Sequence, residues 1–165
     1  FVADPAVMKS TLAERHAQWQ HLQTLEPPFF IKNGVVPPLS SYAKKGTSTA
    51  TRAGVGELVQ GVPGCPGRYR GRARVILDPT EPGDLEPGDV LVAPNTDPAW
   101  TPLFMTCGAV VVNVGAAISH AIIVSRELGL PCVVSATDAT VRIPDGAIIE
   151  VDGDTGVVTV LEVSS

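Results

Sequence analysis

No apolar run in this 165-residue chain is long enough to cross a bilayer, so nothing in it reads as a membrane-spanning helix. The opening residues, FVADPAVMKSTLAERHAQWQ, also lack the basic region and following apolar stretch of a secretory signal. A cytoplasmic protein is expected, and the start at Phe1 rather than Met suggests a piece of something longer. Positive charge is scarce too. Twelve Lys and Arg stand against 17 Asp and Glu, a formal net charge of -5. Wrapping of a nucleic-acid backbone needs clustered cations and is not expected. The basic knots are Lys44-Lys45 and the alternating Arg68, Arg70, Arg72 and Arg74. Alternate residues of a strand share a face, and a solvated strand face is a simpler reading of that ladder than a phosphate site.

Cysteine is sparse and badly spaced for metal. Cys65, Cys107 and Cys132 contain no C-x-x-C, which argues against both a disulfide framework and a zinc site. Reduced thiols are expected, with Cys107 and Cys132 buried in apolar surroundings and Cys65, in GVPGCPG, placed in a loop and open to solvent. His16 and His21 are five apart, which misses the i, i+4 spacing that would put two imidazoles on one metal, so they read as surface residues. No metal ligands are assigned.

What remains is a globular balance, 44% hydrophobic and 18% charged, able to bury one ordinary core. The organisation expected is an N-terminal helix with a Pro-Pro exit over residues 1–35, a linker or loose loop over 36–56, and a compact domain over 57–165. Asp4 as cap, Pro5 in the first turn and the spacing of Met8, Leu12, Trp19 and Leu22 predict the helix, whose apolar face predicts a partner surface. The segment VPPLSSYAKKGTSTATRAGVG has little periodicity and reads equally well as a hinge or as a surface loop.

From Glu57 onward short β-branched runs, ELVQGV, GRARVIL, DVLVA, GAVVVNV, PCVVS, AIIEVD and GVVTVLEV, read as strands, with EPGD, IPDG and DGDTG as turns. Two stretches break the pattern, DPAWTPLFMTCG and SHAIIVSRELG. In the second, Ser119 is a possible N-cap, Ile122, Ile123, Val124 and Leu128 are apolar, and Gly129 with Pro131 makes a stop. The fold class is mixed α/β.

His120 therefore stands at a strand-turn-helix junction. A helix N-terminus offers unpaired N–H groups to an anion, and a neutral imidazole can attack an electrophile with one nitrogen while the other is oriented by a hydrogen bond. Gly115, Ala116 and Ala117 form a turn with almost no bulk, which would let a large substrate or another domain approach the ring. A phosphoryl nucleophile and a merely hydrogen-bonded, helix-capping histidine both fit these residues.

GAAISHAIIVSRELGLPCVV resembles the signature of the phosphoenolpyruvate-utilising enzymes. GVPGCPGRYRGRARV, GDVLVAPNTDPAWTPLF and DATVRIPDGAIIEVDGDTGVV resemble, in family order, the opening, central and closing segments of the same mobile domain. The family includes pyruvate phosphate dikinase, phosphoenolpyruvate synthase, enzyme I of the sugar phosphotransferase system and the rifampicin phosphotransferases. TDPAWTPLF and RHAQWQHLQTLEPP most resemble the synthase and rifampicin phosphotransferase branch. The resemblance implies a swivelling β/β/α unit that carries a phosphoryl group on a histidine between an ATP-binding domain and an acceptor domain. His120 would then be the carrier and Ser119 its capping neighbour. Thr96 and Asp97 would lie in a loop near the ring, Gly115 and Ala121 beside it, and Arg126 and Glu127 would be structural or docking residues. Ala116, Ile118 and Ser125 depart from the usual pattern. Regulatory phosphorylation at position 118 is not expected, and Ser125 is expected to be harmless.

No glycine-rich phosphate cradle ahead of a lysine, acidic magnesium cluster or barrel pattern is found. The resemblance therefore implies a chain that binds no cofactor itself, with ATP and magnesium held by another domain, partnered by that domain and by an acceptor-substrate domain rather than by nucleic acid or membrane. The competing readings are the mobile domain of an antibiotic phosphotransferase and a non-catalytic interaction module that kept the fold.

Overall fold

The computed structural model describes residues 5–27, 31–44, 46 and 50–163. Contacts divide the chain into two units, residues 1–49 and 50–165. In the first, helix α1 spans Pro5–Gln23, with proline at its start where a missing N–H is harmless. Met8, Leu12, Trp19 and Leu22 are exposed on it, and the rings of His16 and Trp19 stack at 5.9 Å. Asp4 and Pro28, the expected cap and exit, lie outside the described residues. Beyond the helix Leu25–Glu26 (β1) pairs antiparallel with Ala43–Lys44 (β2), so part of the expected linker is ribbon.

The second unit starts earlier than composition suggests. Ala53 is buried in its core and donates its N–H to the Arg142 carbonyl at 2.7 Å, ahead of the expected boundary at Glu57. A lack of periodicity in residues 50–56 reflects irregular backbone, and irregular backbone can still pack.

Each run read as a strand contains one. They are β3 (Leu58–Gln60), then, after an unforeseen β4 (Val62–Cys65), β5 (Arg68–Val75), β6 (Val90–Ala93), β7 (Ala109–Val112), β8 (Cys132–Val134), β9 (Ile148–Asp152) and β10 (Val157–Glu162). Strand β4 lies within GVPGCPG, which reads as a loop because of its Pro and Gly. It is a terminal strand of the sheet and pairs with β8 through a register shift between Pro63 and Cys65, so the missing proline N–H is tolerated. Cys65 is consequently buried rather than open to solvent.

The strand order is β3-β10-β9-β5-β6-β7-β8-β4. Strand β5 serves two partners: Arg68 to Arg72 pair antiparallel with β9, and Ala73 to Val75 pair parallel with β6. The parallel set continues through β7 to β8. Gly61 alone joins β3 to β4, the two ends of the order, so the sheet curls back on itself. Strands β6, β7 and β8 are apolar at every position because both faces are covered. Val90, Val92, Val111 and Val133 face a core shared with Ile149, Val151, Val158 and Val160. Leu91, Val110, Val112, Cys132 and Val134 face a second core closed by Trp100, Phe104, Ala121 and Ile122. The layers are strand, strand and helix.

The helical layer consists of a 3-10 turn at Pro98–Trp100 running into α2 (Thr101–Phe104), and α3 (His120–Leu128). A short α4 (Ala139–Arg142), in a stretch whose flanks read only as strand and turn, packs its Ala139 into the first core. The arginine ladder on β5 is paired throughout rather than merely solvated. Arg68 meets Asp152, Arg70 meets Glu162, Arg72 meets Glu86 and Asp89, and Arg74 meets Asp84 and Asp145. With its guanidinium groups on carboxylates, the ladder is not offered to phosphate.

Candidate functional site

The parallel strands aim the chain toward one end of the sheet, and the segments leaving β6 and β7 there meet around His120. After β6, Asp97 accepts the Ala99 N–H on its Oδ1 at 2.8 Å and so starts the 3-10 turn. The buried side chains of Trp100 and Phe104 then pin α2 to the sheet. After β7, Gly115 is buried so close to β8 that an added Cβ would stand 2.8 Å from the Val134 Cβ. Its carbonyl accepts a 2.6 Å hydrogen bond from the Ser135 hydroxyl, which ties the turn to the end of β8. Ala116, Ala117 and Ile118 are exposed. Helix α3 then begins at His120 and ends where Gly129 takes a left-handed φ of 70°.

His120 is half-buried at this junction. Its Nδ1 lies 3.0 Å from the Thr96 Oγ1 and its Nε2 lies 3.4 Å from the Thr101 Oγ1. The Phe104 ring presses on the imidazole edge-to-face, with centroids 5.7 Å apart and planes at 86°. Three separate constraints therefore hold the ring plane. Ser119 occupies the N-cap position, but its side chain makes no capping bond, contrary to expectation. Among the described residues its buried Oγ has no hydrogen-bond partner and packs toward Gly115, which leaves the first N–H groups of α3 without a capping side chain from Ser119.

Of the residues singled out from the sequence, Thr96 touches the ring and Asp97 shapes the turn behind it. Gly115 sets the approach, and Ala121 is buried beneath the helix. Arg126 and Glu127 are exposed farther along α3. Thr101 and Phe104 were not singled out, because their nearness to His120 arises from α2 packing on α3. Trp100 and Phe104, large and four residues apart as on one helix face, were the available signal. Among the described residues, no cluster of three His, Cys, Asp or Glu could hold a metal ion.

The same strand-turn-helix, with the histidine at its helix start, lies inside a stretch matching the family model described as PEP-utilising enzyme, mobile domain. The matched residues are 85–156. Over those residues the chain is similar to that family's mobile domain. The matched stretch carries Thr96, Thr101, Phe104 and His120 together.

Relatives of the mobile domain extend the match in both directions. The chain is 48% identical over 101 residues to rifampicin phosphotransferase of Streptomyces sviceus, covering 61% of the chain and 12% of that protein. It is 47% identical over 102 residues to phosphoenolpyruvate synthase of Aeropyrum pernix, with the same 61% and 12% coverage. It is 40% identical over 161 residues to an uncharacterized protein of Mycobacterium tuberculosis, covering 98% of the chain and 18% of that protein. This last similarity takes in the first unit as well. The chain spans 12 to 18% of the length of these relatives.

Proposed function

We propose that the second unit is a phosphoryl carrier, with His120 transiently phosphorylated and presented in turn to an ATP-binding domain and to an acceptor domain outside this chain. The observation that carries the reading is the ring held by Thr96 at the start of α3. In the tautomer with hydrogen on Nδ1, that nitrogen donates to the Thr96 Oγ1, and the lone pair is left on Nε2. The Nε2 pair attacks the phosphorus of a bound donor. The N–P bond forms, the P–O bond to the donor breaks, and the bonding pair leaves with the donor oxygen. No proton need leave the ring in this step. The positive charge it gains is met at Nδ1 by the Thr96 oxygen, and the positive dipole end of α3, where the ring sits, favours the negative phosphoryl group.

ATP, with magnesium, would be bound by the donor domain and not by this chain. The two named relatives are a synthase and an antibiotic phosphotransferase, so the acceptor is a matter for the rest of the polypeptide. The small-residue turn at Ala116 and Ala117 leaves the ring approachable, which a carrier needs and a helix-capping histidine does not.

The test is chemical labelling of the chain with a phosphoramidate, followed by location of the acid-labile phosphoryl group by mass spectrometry. Selective labelling of His120 over His16 and His21, lost in His120→Ala, is the expected result. Equal labelling of all three, or of none, would favour a non-catalytic module that kept the fold.

A further inference from the structure

The geometry assigns a further catalytic residue to this site. Thr101 holds the Nε2 lone pair before transfer and hydrogen-bonds the phosphoryl group after it, an inference that rests on the carrier reading above. The two ring nitrogens each face a threonine hydroxyl, Thr96 at Nδ1 and Thr101 at Nε2. These contacts are not equivalent. If Nδ1 carries the hydrogen, Nε2 can only accept, so the Thr101 hydroxyl must be the donor across the 3.4 Å gap. Both hydroxyls can serve that tautomer, Thr96 as acceptor and Thr101 as donor, and in it Nε2 is the nucleophile.

Thr101 is fixed where this requires it. It follows Trp100 directly, Phe104 lies one turn on, and both of those side chains are buried. Its own N–H donates to the Pro98 carbonyl, and its backbone is helical at φ -51°, ψ -40°. A β-branched side chain on such a backbone has few rotamers, and the one it takes here puts the hydroxyl beside the ring. The residue is nevertheless exposed, which leaves room for a phosphoryl group on Nε2.

Transfer changes what the hydroxyl can do. Once the N–P bond has formed, Nε2 has no lone pair, and the Thr101 hydrogen loses its acceptor. The nearest replacements are the phosphoryl oxygens carried on the same nitrogen. The bond gained there is charge-assisted and stronger than the long contact it replaces. Thr101 therefore stabilises the phosphorylated state more than the resting one. Ser119, the hydroxyl nearest in sequence, is turned toward Gly115 and takes no part.

Two measurements on the full chain decide this. In the unphosphorylated protein, Thr101→Val should move the 15N resonance of His120 Nε2 and spare Nδ1, whereas Thr96→Val should move Nδ1. After phosphoramidate labelling, the phosphohistidine of Thr101→Val should decay about tenfold faster than wild type, with Thr101→Ser restoring its lifetime. An unchanged lifetime in Thr101→Val, or no restoration by serine in a folded protein, overturns the proposal. If the wild-type chain does not label at all, the carrier reading fails. In that case an Nε2 resonance indifferent to Thr101→Val also removes the contact, and one that moves retains Thr101 as the donor to Nε2.

Discussion

His16, His21 and His120 carry the same side chain in different surroundings. His16 and His21 lie exposed on a helix, whereas His120 has a hydroxyl at each nitrogen and an aromatic edge against its ring. Its candidacy was legible in the sequence, since a histidine between a small-residue turn and an amphipathic run falls at a helix start whatever the tertiary fold. The role of Thr96 is open to a direct check. Thr96→Val keeps shape and removes the oxygen that orients Nδ1, so phosphoramidate labelling should slow by about tenfold with little change in stability. The cysteines should behave in the opposite way. Burial pushes the thiols of Cys107 and Cys132 up to about 12 and raises that of Cys65 as well. Little thiolate exists at neutral pH, and a disulfide reagent should react with them only on unfolding. Rapid reaction of Cys65 in the native chain would contradict its place in β4.

Helix α3 is bounded by two glycines that resist substitution for different reasons. At Gly129 an added Cβ meets nothing within 4 Å, but φ is 70°. Gly129→Ala should cost about 1 kcal/mol from backbone strain alone. At Gly115 the obstacle is the Val134 side chain, so Gly115→Ala should cost about 1–3 kcal/mol and also displace the turn that delivers His120. Urea denaturation, read alongside labelling, separates the two: the first variant should keep full labelling and the second should not. The stop at Gly129 was legible from the Gly-Leu-Pro pattern. The crowding at Gly115 was not, because it comes from β8, which follows later in the chain and pairs with β7 from the other side. Strand β4 was missed for a related reason. Pro63 and Gly64 argue against a strand locally, and only a place at the sheet's edge makes them acceptable.

For the molecule as a whole, the carboxylates that tie β5 to its neighbours set the response to acid. Burial pushes the Asp89 carboxyl up, but the Arg72 guanidinium and the Glu86 N–H outweigh it, and the group sits below the usual carboxylate range. Burial likewise opposes, and the N–H groups of Thr155 and Asp154 with Arg68 overcome it, at Asp152. A carboxyl depressed on folding stabilises the protein fully above its unfolded pKa of about 4, and that contribution disappears as pH falls through the folded value. Asp89→Asn should therefore be less stable than wild type at pH 7, and the difference should shrink below about pH 4, as measured by urea titration at each pH. The boundary between the units is testable in the same way. Residues 50–165 expressed alone should unfold cooperatively and label at His120, because Ala53 and the strands after it complete their own core.

Composition, periodicity and punctuation by themselves determined the mixed α/β class, every strand with an unbroken apolar run, and the placing of His120 at a helix start. Those features follow from short-range physics, namely burial of alternate or continuous apolar residues and the backbone demands of glycine and proline. Tertiary structure alone decided the sheet order, the burial of Cys65, the pairing of the arginine ladder, the unbonded Ser119 hydroxyl and the meeting of Thr101 with Nε2. Each depends on groups distant in sequence, whose separation in space is set by how the sheet curls and how α2 and α3 lie against it.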